Sequence, residues 1–134
     1  MAENTVNKRQ YFRLKVNNEP CRFQIISIHG TKVSVDKEMF GEILDISAGG
    51  LLFQGPLDIP VDKNFVVKGF FKLMGESFAL EGTIVRKEPH GELFRYGLRF
   101  ENLIDRDRER LLRVLGRLQI KQRIKQAKSQ SKGN

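Results

Sequence analysis

The sequence lacks the features that mark several large classes of protein. It contains one cysteine, Cys21, so no disulfide can form within the chain and no cysteine cluster can hold a metal ion. No run approaches the roughly 18 apolar residues that a membrane-spanning helix needs, and the polar first residues do not resemble a signal peptide. We therefore expect a cytoplasmic protein with no disulfide and no transmembrane segment.

Catalytic signatures are missing as well. The two histidines, His29 and His90, each stand beside a glycine in a predicted turn, with no nucleophile or metal-ligating partner nearby in the sequence. The chain has no phosphate-binding glycine loop, no HExxH and no dinucleotide-binding fingerprint. The sequence thus predicts a binding protein that is not an enzyme and that uses no metal or cofactor.

Positive charge is abundant, but it is confined to the two ends of the chain. The formal net charge of the 134 residues is +8. Residues 1–15 have a net charge of +3 and residues 103–134 a net charge of +7, whereas residues 16–102 have a net charge of −2. This distribution indicates an anionic partner without identifying it.

The central part of the chain reads as short strands separated by turns. Its β-branched and aromatic segments are broken at glycines and prolines, and the last segment, residues 92–100, alternates with Tyr96 and Leu98 on one face. Turns are predicted at residues 75–76 and 88–91. The predicted strands are residues 21–28, 40–46, 51–54, 64–74, 77–87 and 92–100. Five or six strands at this spacing favour a barrel or a sandwich.

The last part of the chain has a helical period. Apolar residues recur from Ile104 to Leu118 and again at Ile124, with arginines on the other faces. We predict one domain of residues 20–126, comprising the strands and this helix. It is preceded by a flexible arm of residues 1–19 and followed by a disordered tail of residues 127–134.

Two motifs stand out as candidate binding elements. The first is an RxxxR on the predicted arm, formed by Arg9 and Arg13 and preceded by Lys8. A guanidinium presents paired donors that match phosphate oxygens and also match O6 and N7 of guanine. The RxxxR is therefore a candidate clamp for phosphates or guanine edges.

The second motif is a DxSxxG between two predicted strands, with Asp45, Ser47 and Gly50 at its defined positions. A carboxylate there can accept from the ring N–H and exocyclic amine of guanine, the serine adds a hydroxyl, and glycine lets a flat ligand approach the backbone. Either motif alone is weak. Together the two motifs are a specific signal, because they occur in this order, with Arg13 and Asp45 32 residues apart, before a β-rich region.

With these motifs the sequence resembles the PilZ domain family, bacterial receptors for cyclic di-GMP. The resemblance covers about residues 8–123 and includes the strand of residues 82–86, the strand of residues 96–100 and the helix that follows. It implies a mainly β fold, a six-stranded antiparallel barrel with the C-terminal helix packed against it. It also implies that Lys8 bears on whether one or two ligand molecules bind. The ligand-binding residues that it implies are Arg9, Arg13, Asp45, Ser47 and Gly50.

The resulting hypothesis is a stand-alone cyclic di-GMP receptor whose arm becomes ordered on binding and signals to a protein partner. The process that it controls would be motility, exopolysaccharide production or surface attachment. The alternative is a small β-barrel protein that binds nucleic acid through the basic C-terminal helix. For that helix, a solvated basic face opposite an apolar face on the barrel is a simpler interpretation than a nucleic-acid or membrane-surface element. An interfacial membrane helix usually shows Trp or Phe on its apolar side, and this helix has neither.

Overall fold

The described part of the chain forms seven strands followed by one long helix. The computed structural model describes residues 13–28, 31–32, 38–59 and 66–132. The strands and the helix are β1 (Leu14–Ile28), β2 (Thr31–Lys32), β3 (Glu38–Ser47), β4 (Gly50–Gly55), β5 (Val66–Leu73), β6 (Glu76–His90), β7 (Leu93–Phe100) and α1 (Asp105–Lys132).

Six of these strands close into an antiparallel barrel. Their order in the sheet is β1-β3-β4-β7-β6-β5, and a further pairing of β1 with β5 joins the two ends. The two-residue strand β2 pairs only with the end of β1 among the described strands. The predicted fold class, a six-stranded antiparallel barrel with a C-terminal helix, is confirmed.

Large aromatic side chains fill the barrel. Phe23, Phe53 and Tyr96, from β1, β4 and β7, stack in series with ring centroids 4.0 Å and 5.1 Å apart. Leu98 lies beside Tyr96 on the buried face of β7, as the alternation in the sequence predicts. Hydrophobic burial of this kind is the main contribution to the free energy of folding.

Strand β1 begins earlier than the sequence indicates. Residues 14–19, which the sequence analysis assigns to a flexible arm, belong to β1, where Leu14 pairs with Ile46 of β3. The ladder is interrupted between Lys15 and Glu19, and Asn18 within the interruption has a φ of 46°. This irregular, polar stretch hides the strand from a pattern analysis. Residues 1–12 of the predicted arm lie outside the described residues.

Two turns differ from their predicted positions. The β5–β6 hairpin turns at Met74 and Gly75, both with positive φ, so Glu76 already belongs to β6. The predicted turn at residues 88–91 is also wrong, because β6 continues to His90. Beyond Thr83, the pairings of β6 among the described strands are with β7 alone, and the position of Pro89 near the end of β6 tolerates a residue without an N–H.

Helix α1 covers one side of the barrel with its N-terminal half. Leu111, Val114 and Leu115 are buried, and Leu118 packs against them, a spacing that places all four on one face. Three arginines of the helix also surround the carboxylate of Glu76 at 3.4–3.6 Å. These are Arg110, Arg113 and Arg117.

The helix continues through most of the predicted tail. It ends at Lys132, whereas the sequence analysis predicts disorder from residue 127. Ala127 and Lys128 are good helix formers, and they extend a helix that is already nucleated by its contacts with the barrel. Ala127 and Lys128 are both exposed, so their contribution to the low hydrophobicity of this stretch reflects contact with solvent.

The hydroxyl of Tyr96 fixes the chain that follows β4. It donates to the carbonyl oxygen of Leu57 at 2.6 Å and accepts from the backbone N–H of Ile59 at 2.7 Å. Removing the hydroxyl would leave the Leu57 carbonyl and the Ile59 N–H without this hydrogen-bond partner in a buried place.

We expect Tyr96→Phe to lower the free energy of unfolding by about 1–3 kcal/mol, measured by urea denaturation. An unchanged midpoint would show that these bonds contribute no net stability.

The single thiol is inside the barrel wall. Burial raises the pKa of Cys21 from 9.0 to about 12, with a smaller upward contribution from the charge of Glu42 and an opposing hydrogen bond from the backbone at Gly41.

We expect iodoacetamide at pH 8 to alkylate Cys21 much more slowly in the folded protein than in urea. Because the folded state binds the thiol proton of Cys21 more tightly than the unfolded state, this group contributes stability that is fully present below pH 9. The contribution is lost as the pH rises from 9 to 12. Equal rates of alkylation, measured by mass spectrometry, would contradict the burial of this thiol.

Candidate functional site

The candidate site lies where the β3–β4 turn meets the outer faces of β6 and β7. At the turn, the Ser47 hydroxyl donates to the Gly50 carbonyl at 3.3 Å and accepts from the Gly49 N–H at 3.2 Å. Ser47 is buried, and these bonds join it to the backbone two and three residues on. The turn is therefore held in one shape before any ligand arrives.

An irregularity in β3 directs the polar residues of this region outward. Ile43 and Ile46 are both fully buried although they are three residues apart, which regular alternation does not allow. The register between β3 and β4 shifts between Ile43 and Asp45, and this bulge accounts for the spacing. As a result Asp45 and Ser47 share the outer face of β3.

An ion pair joins the N-terminal motif to this strand. Arg13, immediately before β1, donates to Asp45 Oδ1 at 2.7 Å. The side chain of Arg13 is 53% exposed and that of Asp45 is 18% exposed, so the contact lies at the surface. The strand pairing of Lys15 with Asp45 brings the two partners together.

A second bulge shapes the opposite wall of the site. Ile84 pairs with Leu98, but Arg86 pairs with Gly97, so β6 has one extra residue at this point. Val85 and Arg86 are consecutive and both are exposed, with Val85 at 51%. Regular alternation would have turned one of them into the core. The bulge instead places an apolar and a basic side chain side by side.

These elements enclose an open cleft with a volume of about 540 Å³. Arginines come from three separate parts of the chain, Arg13 before β1, Arg86 in β6 and Arg99 in β7. The residues that line the cleft are Arg13, Ser47, Gly49, Gly50, Val85, Arg86, Gly97, Leu98 and Arg99.

The charges of the cleft leave a positive excess. Arg13 is paired with Asp45, and Arg99 is paired with Glu101 at 3.0 Å. Arg86 forms no ion pair with another described residue. Guanidinium groups around an apolar surface suit a ligand that carries both phosphates and flat rings.

Four of the residues singled out in the sequence meet here, namely Arg13, Asp45, Ser47 and Gly50. Asp45 holds Arg13 at the edge of the cleft and does not itself line it. Arg9 and Lys8 lie outside the described residues. Val85, Arg86 and Arg99 were not predicted, although their strands were noticed, because a bulge and a pairing register bring them to the cleft.

Gly50 has a structural role that is independent of any ligand. A Cβ at this position would lie 2.0 Å from the Leu98 carbonyl oxygen of the paired strand β7. At Gly97, by contrast, a Cβ would lie 3.3 Å from Arg86 Cβ. Glycine at 50 therefore allows β4 and β7 to approach each other, and glycine at 97 leaves room for the side chain of Arg86.

No group of three or more acidic, histidine or cysteine side chains that could hold a metal occurs within the described ranges. No helix there is long and apolar enough to cross a membrane.

The fold and the motifs are matched by a known family. The family model of the PilZ domain matches residues 7–117. The chain belongs to the PilZ domain family. Residues Arg9 and Arg13, at one end of that match, and Asp45 to Gly50, within it, are thus part of a PilZ domain. No curated protein sequence matches the chain.

Solved structures of PilZ proteins resemble the fold. YcgR from Escherichia coli in complex with c-di-GMP has a TM-score of 0.68 and 18% identity, over 91% of this chain and 50% of that one. The inhibitor of motility MotI from Bacillus subtilis has a TM-score of 0.65 and 18% identity, over 85% and 52%. The chain spans about half the length of these two proteins.

A PilZ domain solved alone is matched almost completely. The PilZ domain of Escherichia coli YcgR with c-di-GMP has a TM-score of 0.64 and 20% identity, over 90% of this chain and 98% of that one. The similarity is therefore one of a whole domain.

The two glycines of the cleft lead to a prediction. Gly50→Ala should destabilise the fold by about 1–3 kcal/mol, because the new methyl group overlaps a backbone atom that cannot move freely. Gly97→Ala should cost clearly less, since only a side chain needs to shift. Thermal unfolding followed by circular dichroism compares the two, and similar losses would contradict the difference in packing.

Proposed function

We propose that this PilZ domain is a receptor for cyclic di-GMP and that the ligand binds in the cleft between the β3–β4 turn and strands β6 and β7. The observation that carries the proposal is the Arg13–Asp45 ion pair at the edge of this cleft, which unites the RxxxR and the DxSxxG. Membership of the family and the fold shared with a c-di-GMP-bound PilZ domain support it.

The chemistry of the ligand agrees with that of the cleft. Cyclic di-GMP carries two phosphates and two guanines. In the proposed complex Arg13, Arg86 and Arg99 contact phosphate oxygens or the O6 and N7 edge of guanine. The exposed side chain of Val85 packs against a base, which removes apolar surface from water.

The DxSxxG residues have separate parts in this proposal. Once Arg13 turns to the ligand, Asp45 accepts from the N–H groups of a guanine. Ser47 holds the turn, and Gly50 keeps β4 close to β7. Arg9 completes the pair of arginines, and Lys8 influences how many ligand molecules bind.

Signalling would follow from the movement of the N-terminal segment. Arg13 belongs to the segment that leads into β1, and a ligand that attracts Arg13 and Arg9 orders this segment over the cleft. We propose that the ordered segment is recognised by a protein partner, and that the output concerns motility, exopolysaccharide production or surface attachment. The receptor itself carries out no reaction.

Calorimetric titration with cyclic di-GMP tests the site. Arg13→Ala and Asp45→Ala should each weaken binding at least tenfold, because each removes a charge-assisted contact of about 1.5–3 kcal/mol. Arg86→Ala should do the same. The titration of the unaltered protein also gives the number of ligand molecules bound.

A matched control is available on another part of the barrel. Arg22 pairs with Glu38 at 2.7 Å, and the side chain of Arg22 is 42% exposed. This pair has the same length as Arg13–Asp45 but lies outside the cleft lining, so Arg22→Ala should leave the affinity unchanged. If the unaltered protein does not bind cyclic di-GMP, the proposed function is wrong. If it binds but the cleft variants behave like Arg22→Ala, the proposed site is wrong.

A further inference from the structure

The second half of helix α1 forms a surface that the cleft does not involve. We call residues 119–128 the distal helix. None of its side chains is buried, and among the described residues its hydrogen bond to the barrel runs from Gln122 to the Lys15 carbonyl at 2.6 Å. This part of the helix therefore offers its surface to something other than the barrel core.

Two large apolar side chains of the distal helix face solvent. Ile120 is 58% exposed and Ile124 is 52% exposed. At about 100° per residue they lie one turn apart, nearly opposite Leu118, which packs on the barrel. With Met74 of the β5–β6 turn they line a shallow groove of about 520 Å³. Burial of two isoleucines away from water would be favourable.

The charge around these isoleucines is of one sign. From Arg110 to the last residue the sequence contains eight lysines and arginines and no acidic residue. Arg110, Arg113 and Arg117 share Glu76, but the bases of the distal helix form no ion pair with another described residue. These bases are Lys121, Arg123, Lys125 and Lys128. A partner that binds the distal helix through complementary charge would therefore have a strongly anionic surface.

The arrangement of the bases indicates the kind of anionic surface. On a helical projection Arg123 lies on one side of the isoleucine pair, and Lys121 lies on the other. An apolar strip flanked on both sides by long basic side chains suits a helix lying flat on a bilayer, where the lysine and arginine side chains reach anionic headgroups.

Nucleic acid would not cover the isoleucines, and the helix has no aromatic side chain on which nucleobases could stack.

We propose that the distal helix binds the surface of an anionic lipid bilayer, with Ile120 and Ile124 inserted among the headgroups. This binding is independent of the proposed function of the cleft. Because the apolar area is small, electrostatic attraction carries much of the affinity, and each basic residue contributes about fivefold to the partition coefficient. Binding should therefore weaken as the salt concentration rises.

The test is co-sedimentation of the full chain with large vesicles of phosphatidylcholine containing 30% phosphatidylglycerol. We expect binding to these vesicles and none to vesicles of phosphatidylcholine alone. Lys121→Gln/Arg123→Gln, which removes the two basic side chains that flank the isoleucines, should lower the partition coefficient about 25-fold. Ile120→Ser/Ile124→Ser should lower it at least tenfold.

The matched control is Arg106→Gln/Arg108→Gln, which removes two exposed positive charges from the first turns of the same helix. This control variant should keep most of the binding to anionic vesicles.

Failure of the unaltered protein to bind anionic vesicles, or an equal loss in both charge variants, would overturn the proposal. So would a dimer in light scattering that Ile120→Ser/Ile124→Ser dissolves, or tighter binding to a single-stranded oligonucleotide lost in Lys121→Gln/Arg123→Gln. Cyclic di-GMP titration of the variants separates these outcomes from a failure of the cleft.

Discussion

The double pairing of β1, with β3 along one edge and β5 along the other, is the constraint on which the barrel depends. It joins the first strand to the last strands of the sheet order and gives the inward side chains of all six strands one shared core. Phe23 enters that core from β1 and stacks on Phe53 from β4, so packing and closure support each other. The same strand carries Arg13 at its beginning, and closing the barrel therefore also decides where that guanidinium lies.

Two irregularities in otherwise regular strands turn this barrel into one with a cleft. The bulge in β3 brings Asp45 to the outer face, and the bulge in β6 brings Val85 and Arg86 out together. Each reverses the alternation of the residues beyond it while leaving Ile46 and Ile84 in the core. The part of the cleft formed by Val85 and Arg86 thus consists of side chains that β6 turns away from the core and that take no part in the packing inside.

The sequence predicted the parts of this structure that depend on local pattern. Alternation correctly placed Tyr96 and Leu98 in the core, and the motifs singled out Arg13 and Asp45, which form an ion pair in the structure. Pattern could not reveal the bulges, because the extra residue is defined by pairing with a distant strand, and Arg86 was missed for that reason. Arg99 lies in a regular part of β7 and reaches the cleft through its pairing with Gly50 and Thr83. The β5–β6 turn was misplaced by one residue because glycine favours a positive φ, whereas Met74 adopts one here under the constraint of strand pairing.

The ion pair between Arg13 and Asp45 places a negative charge, the Asp45 carboxylate, at the edge of the cleft. A carboxylate fixed by β3 already occupies a guanidinium that an entering anion would use, so it acts as a tethered competitor at a constant effective concentration. A small monovalent anion that replaced the Asp45 carboxylate would make only the same contact with Arg13. Its net gain in binding free energy would therefore be small. In the proposed complex a ligand with several phosphates and rings engages Arg86 and Val85 in the same event, and the carboxylate that it releases becomes available as an acceptor. In that proposal the cleft discriminates by the number of simultaneous contacts, and the discrimination comes from Asp45, a residue that repels the anion.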